Sequence, residues 1–159
     1  MGKEKENLKN IEDIFKHKKI SIEPMLINQD FDKAINGILD KVSNLAPTFV
    51  FVDPFGFKIR METLERIMRI EKSEILLNFM FTRVNQFLSS PKIENTCSEL
   101  FGCDDWKKCV SLNGSEREKC ILESLRDRMK KFSKYVYYYK FEFANKKKVS
   151  SLQERCGIR

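Results

Sequence analysis

The sequence predicts an α/β domain with a mostly parallel sheet, flanking helices and a helical insertion at about residues 82–132. Three observations carry that expectation. Thr48–Val52 (TFVFV) is a run of β-branched and aromatic residues, the mark of a strand covered on both faces. A second apolar run, Ile75–Met80, follows a short helix that carries Met61, Leu64, Ile67 and Met68. Strand, helix and strand in that order form a right-handed parallel crossover.

The remaining elements follow from spacing and punctuation. Leu8, Ile11, Ile14 and Phe15 recur at helical intervals, so residues 4–17 read as an amphipathic helix. Residues 20–27 (ISIEPMLI) read as a strand, with Pro24 placing it at an edge or a bulge. Asp30 is a cap for the helix predicted over 31–45, whose stripe is Phe31, Ala34, Ile35, Ile38, Leu39, Val42 and Leu45. Further helices are predicted over 82–89 and 93–101, with Gly102 as the C-terminal cap. Asp104, Asp105 and Trp106 begin a third short piece. Ser115 and Glu118 have the spacing of a capping box, which opens a helix to about Phe132. Tyr135–Phe143 (YVYYYKFEF) is the last strand expected. No repeat or linker divides the chain. The domain is therefore expected over residues 1–145, with 146–159 as a basic C-terminal tail.

Composition narrows the class. Hydrophobic residues make up 42% and charged residues 33%, a globular balance. No run reaches the roughly 18 apolar residues of a membrane span, so no membrane contact is expected. The N-terminal residues have neither a signal-peptide core nor the Ser or Thr of a myristoylation pattern at Glu6, which predicts a cytoplasmic protein. Five cysteines are an odd number without a Cys-x-x-Cys pair. They are expected as free thiols on helices, with no metal site. The net charge is +7, and residues 126–159 alone hold 11 Lys and Arg against 3 Asp and Glu. Lys130, Lys131, Lys134, Lys146, Lys147 and Lys148 form either a phosphate-attracting patch for nucleic acid or a solvated surface.

Ligands of open α/β sheets sit beyond the carboxyl ends of the strands. Asp30 and Asp53 follow two predicted strands, and Asn78 lies near the end of a third. After Asp53, Pro54 fixes its own φ, Gly56 admits a close backbone approach, and Phe55 and Phe57 offer stacking faces. The same loop also reads as a tight connection in which Asp53 caps a turn. His17 is the single histidine, at an exposed helix end, so no Ser-His-Asp or Cys-His arrangement is expected. No Gly-x-Gly-x-x-Gly or phosphate-binding loop occurs in the chain.

Pro47–Phe57 (PTFVFVDPFGF), Met61–Leu64 (METL), Glu74–Met80 (EILLNFM), Val84–Leu88 (VNQFL), Glu99–Gly102 (ELFG) and the pair Asp105 and Trp106 resemble the three-Cys-motif partner proteins. The resemblance covers residues 5 to about 143, and Asp53-Pro54-Phe55-Gly56 is its most specific part. It implies a Rossmann-like fold similar to class I S-adenosylmethionine-dependent methyltransferases, with spatial strand order 3-2-1-4-5-7-6. By that resemblance Asp53, Pro54, Phe55 and Gly56 are the catalytic block that holds a target nitrogen. Asp30 and Phe31 are the cofactor-binding position at the adenine. A partner protein carrying the three-Cys motif is implied as well. Full-length relatives have two earlier strands that bring the glycine loop for the cofactor, and a strand after the last one here. The chain is therefore expected to be a truncated domain without the glycine-loop strands or the C-terminal strand, not active alone and binding no S-adenosylmethionine. Residues 20–27 are then expected to pair directly with 48–52. Two functions stand side by side: a methyltransferase-like domain acting on nucleic acid or a related substrate, and a non-enzymatic module that binds a partner protein or nucleic acid.

Overall fold

A computed structural model describes residues 2–18, 24–42, 45–54, 58–142 and 150–157. The helices are α1 (Gly2–His17), α2 (Phe31–Leu39), α3 (Met61–Met68), α4 (Phe81–Phe87), α5 (Glu94–Phe101) and α6 (Gly114–Met129). The strands are β1 (Thr48–Val52), β2 (Ser73–Phe79), β3 (Tyr135–Glu142) and β4 (Ser150–Gly157). Short 3-10 turns occupy Pro91–Ile93 and Asp105–Cys109. The architecture is mixed α/β, and everything between β2 and β3 is helix or turn.

The sheet order is β1-β2-β4-β3. β1 and β2 are parallel, and the crossover between them is α3. β4 runs antiparallel to both β2 and β3, so β1, β2 and β3 share one direction. The sheet is mostly parallel by direction, yet only one of its three ladders is parallel.

Three expectations change. Residues 150–157, assigned above to a basic tail, form β4 at the centre of the sheet, so a strand does follow β3. Its sequence, SSLQERCG, lacks an apolar run, but a strand held between two neighbours has all its amides paired whatever its side chains. Lys146, Lys147 and Lys148 lie outside the described residues. Of the predicted strand 20–27, the described residues 24–27 are irregular, in keeping with Pro24, and no ladder joins them to β1. Among the described residues β1 lies at the edge of the sheet. It is also covered on one face only: Val52 is buried, whereas Phe49 and Phe51 are exposed.

The core lies on that one face. Val52, Ile75, Leu77, Phe79 and Val136 meet Leu64, Ile67, Val84, Leu100, Phe101, Ile121 and Leu125 from the helices. Phe31, Ile35 and Leu39 attach α2 to its margin. α1 forms as its periodicity predicts, but none of its described side chains joins the core, and Ile11 and Ile14 stay exposed.

Local chemistry explains the helix ends. Gly102 takes φ +61° as the C-cap of α5, and a Cβ there would lie 2.8 Å from the buried Met61 side chain. Only glycine meets both demands. The capping box does not form. α6 begins one residue before Ser115, with Asn113 at its N-cap and no side-chain cap bond. Arg117 instead donates to the carbonyls of Leu112 and Val110 and to Asn85, which fastens the turn before α6. Helix α2 ends at Leu39, short of the expected Leu45, and Asp40 at its C-cap accepts from Arg66 on α3 at 2.7 Å.

The cysteines are not all free. Cys109 and Cys120 form a disulfide that ties the Asp105–Cys109 turn to α6. The pairing is tertiary, between the end of a turn and the second turn of a helix, so linear spacing gave no sign of it. Cys97 and Cys103 are free, the first buried and the second half-buried. Burial disfavours the thiolate and pushes the Cys97 thiol up to about 11. Below that pH it stays neutral. Iodoacetamide at about pH 8.5 should therefore spare the buried Cys97 until denaturant is added, while the half-buried Cys103 is modified in the native protein. Peptide mass spectrometry checks this, and rapid native labelling of Cys97 would contradict the buried placement.

Candidate functional site

The carboxyl ends of β1 and β2 bring two polar side chains together. Register pairs Val52 with Leu77, so Asp53 and Asn78 emerge side by side one residue later. Asn78 Nδ2 donates to Asp53 Oδ1 at 2.8 Å. The Asp53 carboxylate is exposed, while Asn78 Oδ1 is buried with no hydrogen-bond partner among the described residues. A buried acceptor without a donor costs free energy on the order of 1–3 kcal/mol, and this one lies beside an exposed carboxylate. Pro54 follows, half-buried. Phe55, Gly56 and Phe57 lie outside the described residues, so the rest of this loop adds no geometry.

Asp30 stands elsewhere. Its carboxylate accepts from Lys33 N at 3.4 Å as the N-cap of α2. Phe31 is half-buried against the core and anchors the same helix turn. The cleft beside Asp30, about 450 Å³, is lined by Asp32, Asn36, Arg60, Thr96 and Glu99 among others, and Asp53 is not one of its lining residues. Asp53 and Pro54 stand at the strand ends, and Asp30 and Phe31 at the start of α2. What fixes the second is a set of polar contacts between α2 and α3. Arg66 donates to Asn36 Oδ1 at 2.6 Å and to Asp40, and Arg60 N donates to Asp32 Oδ1 at 3.4 Å. These groups are partly solvated, so each contact contributes up to about 1 kcal/mol.

A larger cleft, about 680 Å³, lies between α3, α5 and α6 and had no counterpart in the sequence reading. Arg128 lines it, with Nε buried and unpartnered among the described residues and NH2 3.5 Å from Glu65. Its guanidinium also lies over the Phe132 ring at 5.3 Å. Arg60, Glu62, Glu65 and Glu99 line the same cleft, so charges of both signs are present. Nothing in the spacing of α6 singles out Arg128. Nearby, Lys107 bridges Glu94 at 2.6 Å and Asp104 at 3.0 Å. The Ser98 hydroxyl, and then Lys107, hold the exposed Asp104 carboxyl below its ordinary range. These contacts brace a turn.

Lys130 and Lys131 are exposed just after α6, and Lys134 just before β3, with Lys134 Nζ 5.3 Å from the centre of the Tyr135 ring. Among the described residues no three His, Cys, Asp or Glu side chains are grouped so that they could hold a metal ion. No helix of the described residues is long and apolar enough to cross a membrane. No protein-family model, curated protein or solved structure matches the chain.

Proposed function

We propose that this chain is a three-Cys-motif partner-like protein, with a Rossmann-like, methyltransferase-like half-sheet that does not methylate by itself. The observation that supports this most directly is the strand order. The order β1-β2-β4-β3 corresponds to positions 4-5-7-6 of the methyltransferase-like order, with β1 fourth, β2 fifth, β4 seventh and β3 sixth. In that reading Asp53 and Asn78 stand at the carboxyl ends of the fourth and fifth strands, where the exposed Asp53 carboxylate, oriented by Asn78, suits a ligand amino group. The glycine loop that would cradle a cofactor has no counterpart among the 159 residues. Without it, Asp30 and Phe31 serve the start of α2 and hold no S-adenosylmethionine.

Calorimetric titration of S-adenosylmethionine into the chain tests the reading, and no measurable heat of binding is expected. A micromolar affinity, about −8 kcal/mol, would overturn it, most directly if Asp30→Ala abolished the signal.

The second reading is a non-enzymatic module that meets nucleic acid or a partner protein through the basic segment. The exposed Lys130, Lys131 and Lys134 favour it, within a stretch whose net charge is +8.

A further inference from the structure

All of the buried core lies on one face of the sheet, and the other face carries aromatic rings. Phe49 and Phe51 on β1 are 56% and 53% exposed, and Tyr137 and Tyr139 on β3 are 54% and 58% exposed. Register places them on a common face. Phe51 is opposite Leu76, Leu76 opposite Arg155, and Arg155 opposite Tyr137. The alternate positions Val52, Ile75, Leu77 and Val136 are the buried ones. Lys140 has the parity of Val136, and it accordingly meets Glu118 on α6 at 2.9 Å.

The rings form two exposed clusters at opposite edges of this face, with Tyr135 and Tyr137 stacked at 6.3 Å on β3, and exposed apolar clusters of this kind mark binding surfaces. The occupant has to suit rings, three of the β3 positions being tyrosines that tolerate water at one end. It also has to suit positive charge. Lys130, Lys131 and Lys134 stand immediately before β3, and Lys134 already overlies the Tyr135 ring. A second copy of the chain fits poorly, because a two-fold contact sets the same patch against itself and brings two basic segments together. Duplex nucleic acid fits poorly as well, since its bases are stacked on one another and unavailable to a flat sheet. A single strand supplies both unstacked bases and phosphates. The dimensions agree: β1 and β3 are three strand spacings apart, about 14 Å, and alternate residues on β3 are about 7 Å apart, enough for two or three splayed bases.

We propose that this open face binds single-stranded nucleic acid, with bases stacked on Phe51, Tyr137 and Tyr139 and phosphates met by Lys130, Lys131 and Lys134. The proposal rests on the second functional reading for its phosphate contacts, and adds the site for the bases. Glu74, whose register position is on the same face beside Phe49, confines the phosphate path to the β3 side.

Fluorescence anisotropy of the full chain with a labelled oligothymidylate of about 15 nucleotides, against a duplex of equal length, is the test. The single strand should bind about tenfold more tightly than the duplex, and Phe51→Ala and Tyr137→Ala should each weaken it at least about fivefold. Both side chains are half exposed, and circular dichroism checks that the variants stay folded. Tyr137→Trp should retain binding, and Lys134→Glu should weaken it and flatten its salt dependence. Unchanged binding in both alanine variants, with loss in Lys134→Glu, would overturn the aromatic platform and leave the basic-segment reading standing. No binding at all would overturn both. Equal binding of the duplex, or a dimer in sedimentation velocity that Phe51→Ala dissolves, would also overturn the proposal.

Discussion

Phe101→Ala should lower the unfolding free energy by about 3–5 kcal/mol. Phe101 is fully buried on the last turn of α5, and its ring stacks against Trp106 with centroids 6.2 Å apart. Its neighbours are fixed from several directions. Gly102 behind it is pinned against Met61, and Trp106 belongs to a turn braced by Ser98, Asp104 and Lys107. Such a site cannot collapse to fill the space, which places the loss towards the high end of the range. Whole domains are stable by only about 5–15 kcal/mol, so the variant should begin to unfold at much lower urea. Urea titration followed by circular dichroism measures this, with the slope expected to stay constant. A loss below about 1 kcal/mol would show that the ring is not enclosed as described.

Reduction of the Cys109–Cys120 disulfide should cost about 3 kcal/mol. The two cysteines are 11 residues apart, and closing a loop of that length removes this much conformational freedom from the unfolded chain. For a chain of this size the melting temperature should fall by roughly 6–12 °C when a reductant is added. Double replacement of both cysteines by alanine should reproduce the reduced value and make it insensitive to reductant. Identical melting curves with and without reductant would mean that the bridge does not form in solution. Cys97 and Cys103 are not part of this effect, since neither is bonded.

How much of this was legible in the sequence varies by element, and for physical reasons. β1, α3 and β2 could be read because strand and helix periodicities differ and the apolar runs are short and well bounded. Gly102 could be read because a left-handed cap leaves glycine as the main option. The uncovered face of β1 could not, because TFVFV is apolar on both sides and only tertiary packing decides which side is buried. β4 could not, because its polar residues carry no strand pattern and its pairing comes from neighbours distant in sequence. The start of α6 was misplaced because the helix opens one residue earlier, at Gly114, where no side chain caps it, while Arg117 ties the preceding turn by donating to the carbonyls of Leu112 and Val110. At the candidate site, Asp53 and Asn78 were both visible as strand-end residues, while their hydrogen bond follows from a register that spacing does not specify. Asp30 was visible as a cap and is one.

The central position of β4 has a consequence for how the protein acquires its shape. β2 and β3 are joined only through a strand whose residues are about 80 positions beyond β2, as in the pairing of Glu74 with Gly157. While the chain is being synthesised, β1, α3 and β2 can associate as soon as they leave the ribosome. β3 has no strand to pair with until residues 150–157 have followed it. Until then the inner edge of β2 presents unpaired amides, and closure of the sheet requires a long loop to be drawn in. Assembly of the sheet should therefore be completed only once residues 150–157 are available, at the slow pace of long-range strand pairing.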